Sequence, residues 1–427
     1  MWLLDRLLGK VIQRGALVVT DHDGTIYRYG TAADNSAPLH VRLTNRKAAG
    51  HIARHPQVGA GEAFMWGWLV VEPPHDVRDL ILLFSLNANA HDNRSMNAQG
   101  PLRKLREKVL AAADGINLRG KARKNAEHTY NLTRRLYELF LDEDRQYTMA
   151  YYRDESATLE QAQVDKKAHL AAKMYIQPGM RILDIGCGWG GFALFLARHY
   201  DVEVVGVALA PDQIAFCQER AAAEGLSDRV TFHLMDYRDI TGSFDRISSV
   251  GLLEHVGTIH YPQFFQHTNR LLKHDGVMLS HCCGRADPPG HTDAWTRKYI
   301  FPGGYIPALS ELVAPAEKAG WHIMDVEAMR FHYSLTLEEW YRRTVLHCDE
   351  IVSLYDEQFY RMWLFYLAGA EQSFRHGNMV NWQLLYVKDR AAIPMTREWI
   401  EQESARLRAA APVPQWSLDP HLRQAAE

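Results

Sequence analysis

Residues 181–191, which read Arg-Ile-Leu-Asp-Ile-Gly-Cys-Gly-Trp-Gly-Gly, constrain the fold more than any other stretch of this chain. Ile182, Leu183 and Ile185 are typical of a short buried strand, and the residues after Gly191 have helical character. The glycines between these two elements let the backbone turn sharply and let a ligand approach it closely. A glycine turn between a strand and a helix N-terminus is a common ligand site in open α/β sheets. The stretch therefore predicts a strand, a ligand-binding turn and a helix.

The spacing of the glycines indicates the ligand. The pattern is Asp-x-Gly-x-Gly-x-Gly, beginning at Asp184, Gly186 and Gly188, and it differs from the Gly-x-Gly-x-x-Gly of dinucleotide folds. Asp184 ends the strand, where a carboxylate can meet a cationic ligand. S-adenosylmethionine (SAM) fits because its positive charge lies on a sulfonium and an α-amine. We predict that these three residues bind SAM; a purely structural glycine turn is the less favoured alternative.

Strands and helices alternate around this motif. Apolar runs with helical segments between them predict strands at residues 181–185, 201–207, 230–234, 244–250 and 276–281. This alternation is typical of a doubly wound parallel sheet, a Rossmann-like α/β fold, whose strand C-terminal ends collect the ligand site. A glycine- and proline-rich excursion at residues 288–307 is too long for a tight connection and is interpreted as a lid.

The length of 427 residues predicts two or three domains. We expect a small α+β domain over residues 1–95, a basic linker over 96–125, a SAM-binding α/β domain over 126–390 and a C-terminal helix and tail over 391–427. The positive charge of the linker favours an anionic partner, either lipid headgroups or nucleic acid.

The first predicted helix, at residues 2–12, is amphipathic. It places Leu4, Leu7, Leu8 and Val11 on one face. Packing of this face on its own domain is favoured over contact with a membrane.

Composition narrows the setting of the protein. A net charge of -3 gives no overall attraction to nucleic acid or to an anionic membrane. Five cysteines without disulfide-like or zinc-like spacing favour a reducing, cytosolic compartment. No apolar run has transmembrane length, and the first residues lack the basic leader and cleavage site of a secretory signal. We therefore expect a cytoplasmic protein and, despite the basic linker, no nucleic-acid partner.

Two further strand ends are predicted to contact SAM. Many SAM enzymes hold the ribose with an acid after the second strand, but this chain has Leu209 there, so Gln213 is the candidate for the ribose contact. After the third strand, Asp236 can accept a hydrogen bond from the adenine amino group and Tyr237 can stack on the ring. The glycine turn and these two strand ends together are strong evidence for a SAM site, because they occur in the expected order and register.

The fourth and fifth strands end in groups that suit acid–base chemistry. Glu254 stands between leucines and a histidine, and His281 ends the fifth strand. If these two strands pair, both side chains could hold one small ligand between them. The alternatives are a carboxylate beside a helix start for Glu254 and a satisfied core histidine for His281. Metal-ligand spacing is lacking, so no metal site is predicted.

The chain resembles the cyclopropane-fatty-acid synthase family in four ordered motifs, at residues 147–151, 182–191, 251–257 and 298–304. The resemblance extends over about residues 126–390 and implies that this part is a class I SAM-dependent methyltransferase domain. The N-terminal region is similar to the extra domain of the longer bacterial members. It implies SAM-dependent methylation of cis double bonds in phospholipid acyl chains, with a bicarbonate ion as base. It also implies peripheral association with the inner face of the membrane, and it suggests a homodimer.

The resemblance also implies roles for particular residues. Glu254 and His281 should orient the bicarbonate, with Tyr333 as a third contact, and Tyr147 and Thr148 should touch SAM. The candidate pocket or lid aromatics are Tyr299, Phe301 and Tyr305.

The chain departs from the family pattern in the base pocket. Met149 stands where members usually have the cysteine beside the bicarbonate, and Cys283 stands where they usually have isoleucine. Asn131 and Ala370 also replace typical residues. A cysteine nucleophile is not needed for cyclopropanation, so this activity remains the first hypothesis. The alternatives are C-methylation to a methylated alkene or a methyl-branched chain, methylation of a soluble small molecule, and a non-catalytic lipid-binding relative.

Overall fold

The computed structural model describes residues 1–31, 37–88 and 132–411. The predicted linker at residues 96–125 and Asn131 lie outside these residues, as does the tail beyond residue 411. The described strands are β1 (Gly15–Thr20), β2 (Ile26–Thr31), β3 (Leu39–Leu43), β4 (Leu69–Val71), β5 (Arg181–Ile185), β6 (Glu203–Ala208), β7 (Val230–Leu234), β8 (Phe244–Val250), β9 (Leu272–Arg285), β10 (His322–Met329) and β11 (Met379–Val387). The described α-helices are α1 (Trp2–Val11), α2 (Ala48–Arg54), α3 (Gly59–Met65), α4 (Val77–Ala88), α5 (Arg134–Phe140), α6 (Leu159–Lys173), α7 (Gly191–His199), α8 (Pro211–Ala223), α9 (Leu253–Val256), α10 (Tyr261–Leu271), α11 (Ala294–Tyr299), α12 (Leu309–Lys318), α13 (His332–Leu346), α14 (Cys348–Leu354), α15 (Glu357–Arg375) and α16 (Glu398–Ala410).

These elements form two compact units, each assembled from separate segments of the chain. Unit one consists of the described residues up to 88, Thr292–Phe301 and Leu337–Asn378. Unit two consists of residues 132–291, Pro302–Thr336 and residues 379–411. Two segments predicted within the methyltransferase domain thus cluster with unit one. The domain boundaries expected from the sequence stay a prediction.

Unit one is built on a four-stranded sheet in the order β2-β1-β3-β4. Residues 17–20 and 25–29, with a turn between them, predict a hairpin, and β1 and β2 form it as an antiparallel pair. β1 also pairs with β3 in parallel. α1 packs on this unit, as expected, since Leu4 and Leu8 join a core with Leu17 and Val19 of β1. Leu7, which the sequence assigns to the same face, is instead 37% exposed.

The sequence of residues 15–72 predicts β structure, and this prediction is wrong for α2 and α3. Each of these helices has only seven residues, so neither completes the repeats that reveal a helical period. The small side chains of Ala48, Ala49 and Ala53 are buried, so packing stabilises α2 despite its short length.

Unit two contains a seven-stranded sheet in the order β10-β11-β9-β8-β5-β6-β7. Alternate residues of β5 enter separate cores. Ile182 packs in a core that includes α7 and α8, and Leu183 packs in a core that includes α10 and α12. Helices therefore cover both faces of the sheet, which confirms the predicted Rossmann-like α/β class.

The sheet is mixed, and the prediction of a wholly parallel sheet needs correction. The strands from β9 through β8, β5 and β6 to β7 run parallel, but β11 is antiparallel to both β9 and β10. β11 comes late in the chain, far from the β/α alternation that suggested parallel pairing. The predicted excursion at residues 288–307 also contains a helix, α11.

Candidate active site

The turn between β5 and α7 has the backbone that its glycines make possible. Gly186, Gly188 and Gly190 have φ of 81°, 53° and 80°, in the left-handed region that favours glycine. A Cβ at Gly190 would lie 2.8 Å from the Sγ of Cys217, whereas a Cβ at Gly188 would meet no heavy atom within 4 Å. The turn is thus packed against the protein at one end and has open space at its middle, which fits a bound cofactor.

Asp184 stands at the start of this turn. Its side chain is buried, and its Oδ1 accepts a hydrogen bond of 2.7 Å from the Ser248 hydroxyl. Burial raises the pKa of Asp184 to about 6. A cationic ligand would oppose this effect and hold the carboxylate in its charged form, as expected for a contact to SAM.

The other predicted cofactor residues lie at the ends of neighbouring strands. β6 follows β5 in the sheet and ends before Leu209, while Gln213 is buried in the first turn of α8. β7 is next, and the backbone N–H of Met235 after it donates to Ala208 at the end of β6. The structure therefore brings the residues predicted to bind SAM to one edge of the sheet, where β5, β6 and β7 end.

Asp236 and Tyr237 follow β7. The Arg238 guanidinium contacts both oxygens of Asp236, with Nε 2.8 Å from Oδ1 and Nη2 2.5 Å from Oδ2. The Tyr237 ring packs edge-on against Phe264 at 5.5 Å, and burial raises the pKa of its hydroxyl to about 12. If Asp236 contacts the adenine, its carboxylate must also keep its contact with Arg238. The roles of Asp236 and Tyr237 in binding SAM stay predictions.

The segment that contains Tyr147 and Thr148 contacts α6 through Gln146 and Thr148. The Lys166 ammonium donates to the Thr148 hydroxyl and to Oε1 of Gln146, both at 2.8 Å. Gln163, one helical turn earlier, donates to the backbone oxygen of Thr148 at 3.0 Å. The Tyr147 ring packs edge-on against Tyr137 at 5.5 Å. The predicted SAM-contacting segment is thus fixed through its side chains and its backbone.

Lys166 is a feature that the sequence analysis missed. Its side chain is completely buried, and burial lowers the pKa of its ammonium to about 7, against the attraction of Asp142. A buried lysine is rare unless a partner holds it. The sequence alone carries no signal for this lysine, because its burial depends on the elements that cover α6, nearly all of which is buried.

Glu254 lies on α9, directly after β8. Its Oε1 accepts a 2.5 Å hydrogen bond from the backbone N–H of Cys283, and its backbone oxygen accepts one from the N–H of Tyr305. Its Oε2 is enclosed and has no hydrogen-bond partner among the described residues. Burial raises the pKa of Glu254 to about 7. The carboxyl therefore has one oxygen fixed and one available to a ligand.

His281 is buried on β9, which pairs with β8 as predicted, and its oxygen accepts from the N–H of Gly251 at 2.8 Å. Gln383 Nε2 lies 3.0 Å from His281 Nδ1. Because an amide nitrogen only donates, Nδ1 accepts and the ring proton is on Nε2. That Nε2 is enclosed with no partner in the described chain. Burial lowers the pKa of His281 to about 3, so the ring is a neutral donor.

β11 adds two polar side chains that the sequence analysis also missed. Asn381 and Gln383 lie opposite Cys283 and His281 in the antiparallel pair, so all four side chains share one face of the sheet. Asn381 Oδ1 and Gln383 Oε1 are enclosed without a partner within the described residues. Polar residues at alternate positions of an apolar strand were the available signal.

Cys283 is predicted beside the base. Its Sγ accepts from Asn381 Nδ2 at 3.7 Å. Burial and the nearby Glu254 carboxyl raise the pKa of the Cys283 thiol well above its usual value, so the sulfur stays protonated and is a poor nucleophile.

Met149 and Tyr333 lie on segments that are tied together. Met149 is fully buried, and Tyr333 is half-buried in the first turn of α13. The N–H of Ala150 donates to the Thr336 hydroxyl at 3.0 Å, and that of Tyr152 donates to His332 Nδ1 at 3.0 Å. The functions of Met149 and Tyr333 stay predictions.

The predicted pocket or lid aromatics are divided between the units. Tyr305 belongs to unit two and, as noted, contacts Glu254 through its backbone. Tyr299 and Phe301 belong to unit one, and Ala370 lies there too, on α15. The roles of these aromatics stay predictions.

Comparison with known proteins identifies the family of this chain. The sequence model for mycolic acid cyclopropane synthetase matches residues 118–384, well over half of the chain. The chain belongs to this family. The cyclopropane-fatty-acyl-phospholipid synthase of Escherichia coli K12 is 36% identical over 366 residues, which cover 84% of this chain and 90% of that protein. The tuberculostearic acid methyltransferase UfaA1 of Mycobacterium tuberculosis is 30% identical over 407 residues, 90% of this chain and 91% of that protein.

Solved structures agree with this assignment. The mycolic acid cyclopropane synthase CmaA1 complexed with SAH and CTAB is 30% identical, with a TM-score of 0.59 over 62% of this chain and 97% of that one. The protein is therefore a SAM-dependent methyltransferase, and the prediction of SAM from the glycine turn is confirmed. None of the described helices is long and apolar enough to cross a membrane.

Proposed function

We propose that the protein transfers a methylene group from SAM to a cis double bond of a phospholipid-bound acyl chain and forms a cyclopropane ring, with bicarbonate as the base. The observation that carries the proposal is the pair of enclosed, unpartnered atoms Glu254 Oε2 and His281 Nε2. Glu254 lies on α9 just after β8, and His281 lies on the neighbouring strand β9 of the sheet that holds the cofactor turn. We further propose that it works in the cytoplasm, peripherally on the inner face of the membrane, as a homodimer.

The chemistry explains why such a site is needed. SAM, when bound, supplies an electrophilic methyl group, but an isolated alkene is a poor nucleophile, so positioning must supply much of the rate. The segment fixed by Lys166 and the turn at Gly188 would orient the cofactor. A carbocation formed on the acyl chain must be kept from water. A proton must then leave the new methyl group for the ring to close.

The described side chains suit a bicarbonate ion. Glu254 Oε2 is an acceptor for its hydroxyl group, and the Nε2–H of His281 is a donor for its charged oxygen. Tyr333 is the proposed third contact. An ion held there would supply a proton acceptor next to the acyl chain, a role that no thiolate of Cys283 is available to take.

C-methylation without ring closure is the second candidate. Met149 is buried. The family resemblance aligns it with the cysteine that members usually have beside the bicarbonate, so we propose that the base pocket differs at one wall. A relative that matches along 90% of this chain carries the name tuberculostearic acid methyltransferase. In this case the cation would lose its proton elsewhere and give a methylated alkene, and reduction would give a methyl-branched chain. Met149→Cys should then shift the product towards cyclopropane.

Expression in a bacterium without cyclopropane lipids tests the proposal. Mass spectrometry of fatty acid methyl esters should show unsaturated chains that have gained one methylene, and proton NMR should show the upfield ring protons of a cyclopropane. Glu254→Gln should abolish this product while SAM still binds. Absence of any methylated lipid from the wild-type protein, with SAM binding intact, would overturn the proposal. Activity without phospholipid vesicles on a soluble acceptor would favour a small-molecule methyltransferase.

A further inference from the structure

We infer that the outward face of α1 is a docking surface for an anionic phospholipid bilayer, formed by Trp2, Leu3 and Leu7 with Arg6 and Lys10. The inference rests on the proposed function in that it names how a lipid-modifying protein would reach its substrate. It concerns unit one and does not involve the residues of the candidate active site.

The first observation is that α1 is apolar on two sides. Leu4 and Leu8 are buried in the core of unit one and account for the packing of the helix. Trp2 is nevertheless 73% exposed, Leu3 41% and Leu7 37%. Adjacent large apolar side chains that remain in water after the helix has packed mark an interaction surface rather than a core.

The second observation is the distribution of charge around the helix. Arg6 and Lys10 are exposed, one turn apart, on the same outward side as Trp2 and Leu3, and Arg14 is exposed just after the helix. The only acid of the helix, Asp5, accepts a hydrogen bond from the Tyr29 hydroxyl at 2.9 Å. Its charge is thus directed to the protein and leaves the outward face cationic.

This combination fits a bilayer interface. Tryptophan is preferred at the headgroup level, leucine side chains reach the acyl boundary, and long basic side chains keep their charges among anionic headgroups. The cationic charge is local, since the whole chain has a net charge of -3, so attraction would orient the protein with α1 towards the membrane. The alternative occupants are a protein partner and nucleic acid, and binding assays with vesicles distinguish a bilayer from both.

Co-sedimentation with vesicles tests the surface directly. The full chain should bind phosphatidylglycerol-containing vesicles and bind pure phosphatidylcholine vesicles much more weakly. Trp2→Ser/Leu3→Ser/Leu7→Ser should weaken binding at least tenfold, because exposed apolar side chains no longer enter the interface. Arg6→Gln/Lys10→Gln should weaken it by about fivefold per charge at low salt. Ile26→Ser is the matched control: this residue is 55% exposed in β2 of the same unit and should leave binding unchanged.

Several results would overturn the inference. They are unchanged vesicle binding by the triple variant, equal loss in the Ile26→Ser control, or binding of the wild-type protein to nucleic acid or protein but not to vesicles. Circular dichroism should confirm that each variant is folded, which the exposure of the changed side chains predicts.

Activity in two lipid forms separates this inference from the proposed function. The triple variant should lose methyl transfer on vesicles but keep it on phospholipid dispersed in detergent micelles, where docking is not needed. If the wild-type protein is inactive on both lipid forms, the proposed function is contradicted. The docking surface is then still tested by vesicle binding alone. A wild-type protein that is active, with variants that act equally on both forms, contradicts the docking surface alone.

Discussion

Glu254→Gln should stabilise the protein while abolishing its activity. The wild-type carboxyl is held in an environment that favours its neutral form, because burial raises its pKa from 4.5 to about 7. A glutamine has the same shape, carries no charge, and can still accept the hydrogen bond from Cys283 through its amide oxygen. The substitution therefore removes the cost of a buried charge without removing the contact.

The magnitude follows from the pKa. Each pKa unit corresponds to about 1.4 kcal/mol, so ionised Glu254 lowers the free energy of unfolding by about 3 kcal/mol. The folded state holds the proton up to a higher pH than the unfolded state, so this penalty grows from about pH 4.5 and is complete above about pH 7. Glu254→Gln should be more stable than wild type by about 3 kcal/mol at pH 8 and by less than about 1 kcal/mol at pH 5.

Urea denaturation of both proteins across this pH range measures the difference. Other titrating groups are common to both and cancel. Glu371→Gln is the control, because burial raises the pKa of Glu371 to about 7 as well, but this residue lies in unit one. It should keep methyl transfer activity, whereas Glu254→Gln should lose at least about a hundredfold in kcat. A stability difference for Glu254→Gln that does not change with pH would refute the reasoning.

Further predictions concern the residues that support the site. Lys166→Met removes two hydrogen bonds to the segment that holds Thr148 and should raise the Kd for SAM about tenfold in calorimetry. Gln383→Leu leaves His281 without its donor and should lower kcat about 10- to 100-fold with an unchanged Kd for SAM. Gly190→Ala forces a side chain into a left-handed backbone next to a sulfur atom, so it should lower the free energy of unfolding by about 1–3 kcal/mol in thermal denaturation. An unchanged value in any of these assays would contradict the corresponding contact.

The cofactor side of the site could be predicted because its signals are local. Asp184 and the glycines form a strand, a turn and a helix within a few residues, and the neighbouring strand ends follow at regular intervals. The same regularity places Glu254 near the strand of His281, since β8 and β9 are consecutive strands that pair in parallel. Local patterns of this kind survive in the fold because short connections keep successive elements adjacent.

The rest of the site depends on contacts between distant parts of the chain. β11 pairs with β9 although they are far apart in sequence, so nothing local shows that Gln383 would face His281. Lys166 reads as an ordinary surface lysine, because its burial is decided by the elements that cover α6. α2 and α3 were missed for the same reason, since packing rather than periodicity stabilises them. The sequence likewise does not show which distant segments assemble into each unit.

The fate of the transferred methyl group tests the central claim most directly. The purified protein, phospholipid vesicles with cis-unsaturated chains, and SAM with a fully deuterated methyl group would be incubated together, and the lipid products analysed by mass spectrometry and NMR. Cyclopropanation predicts a ring-containing product that has lost one deuterium of the transferred methyl group, because the base removes it. A product that keeps the whole labelled methyl group, or no labelled lipid at all, would contradict the account.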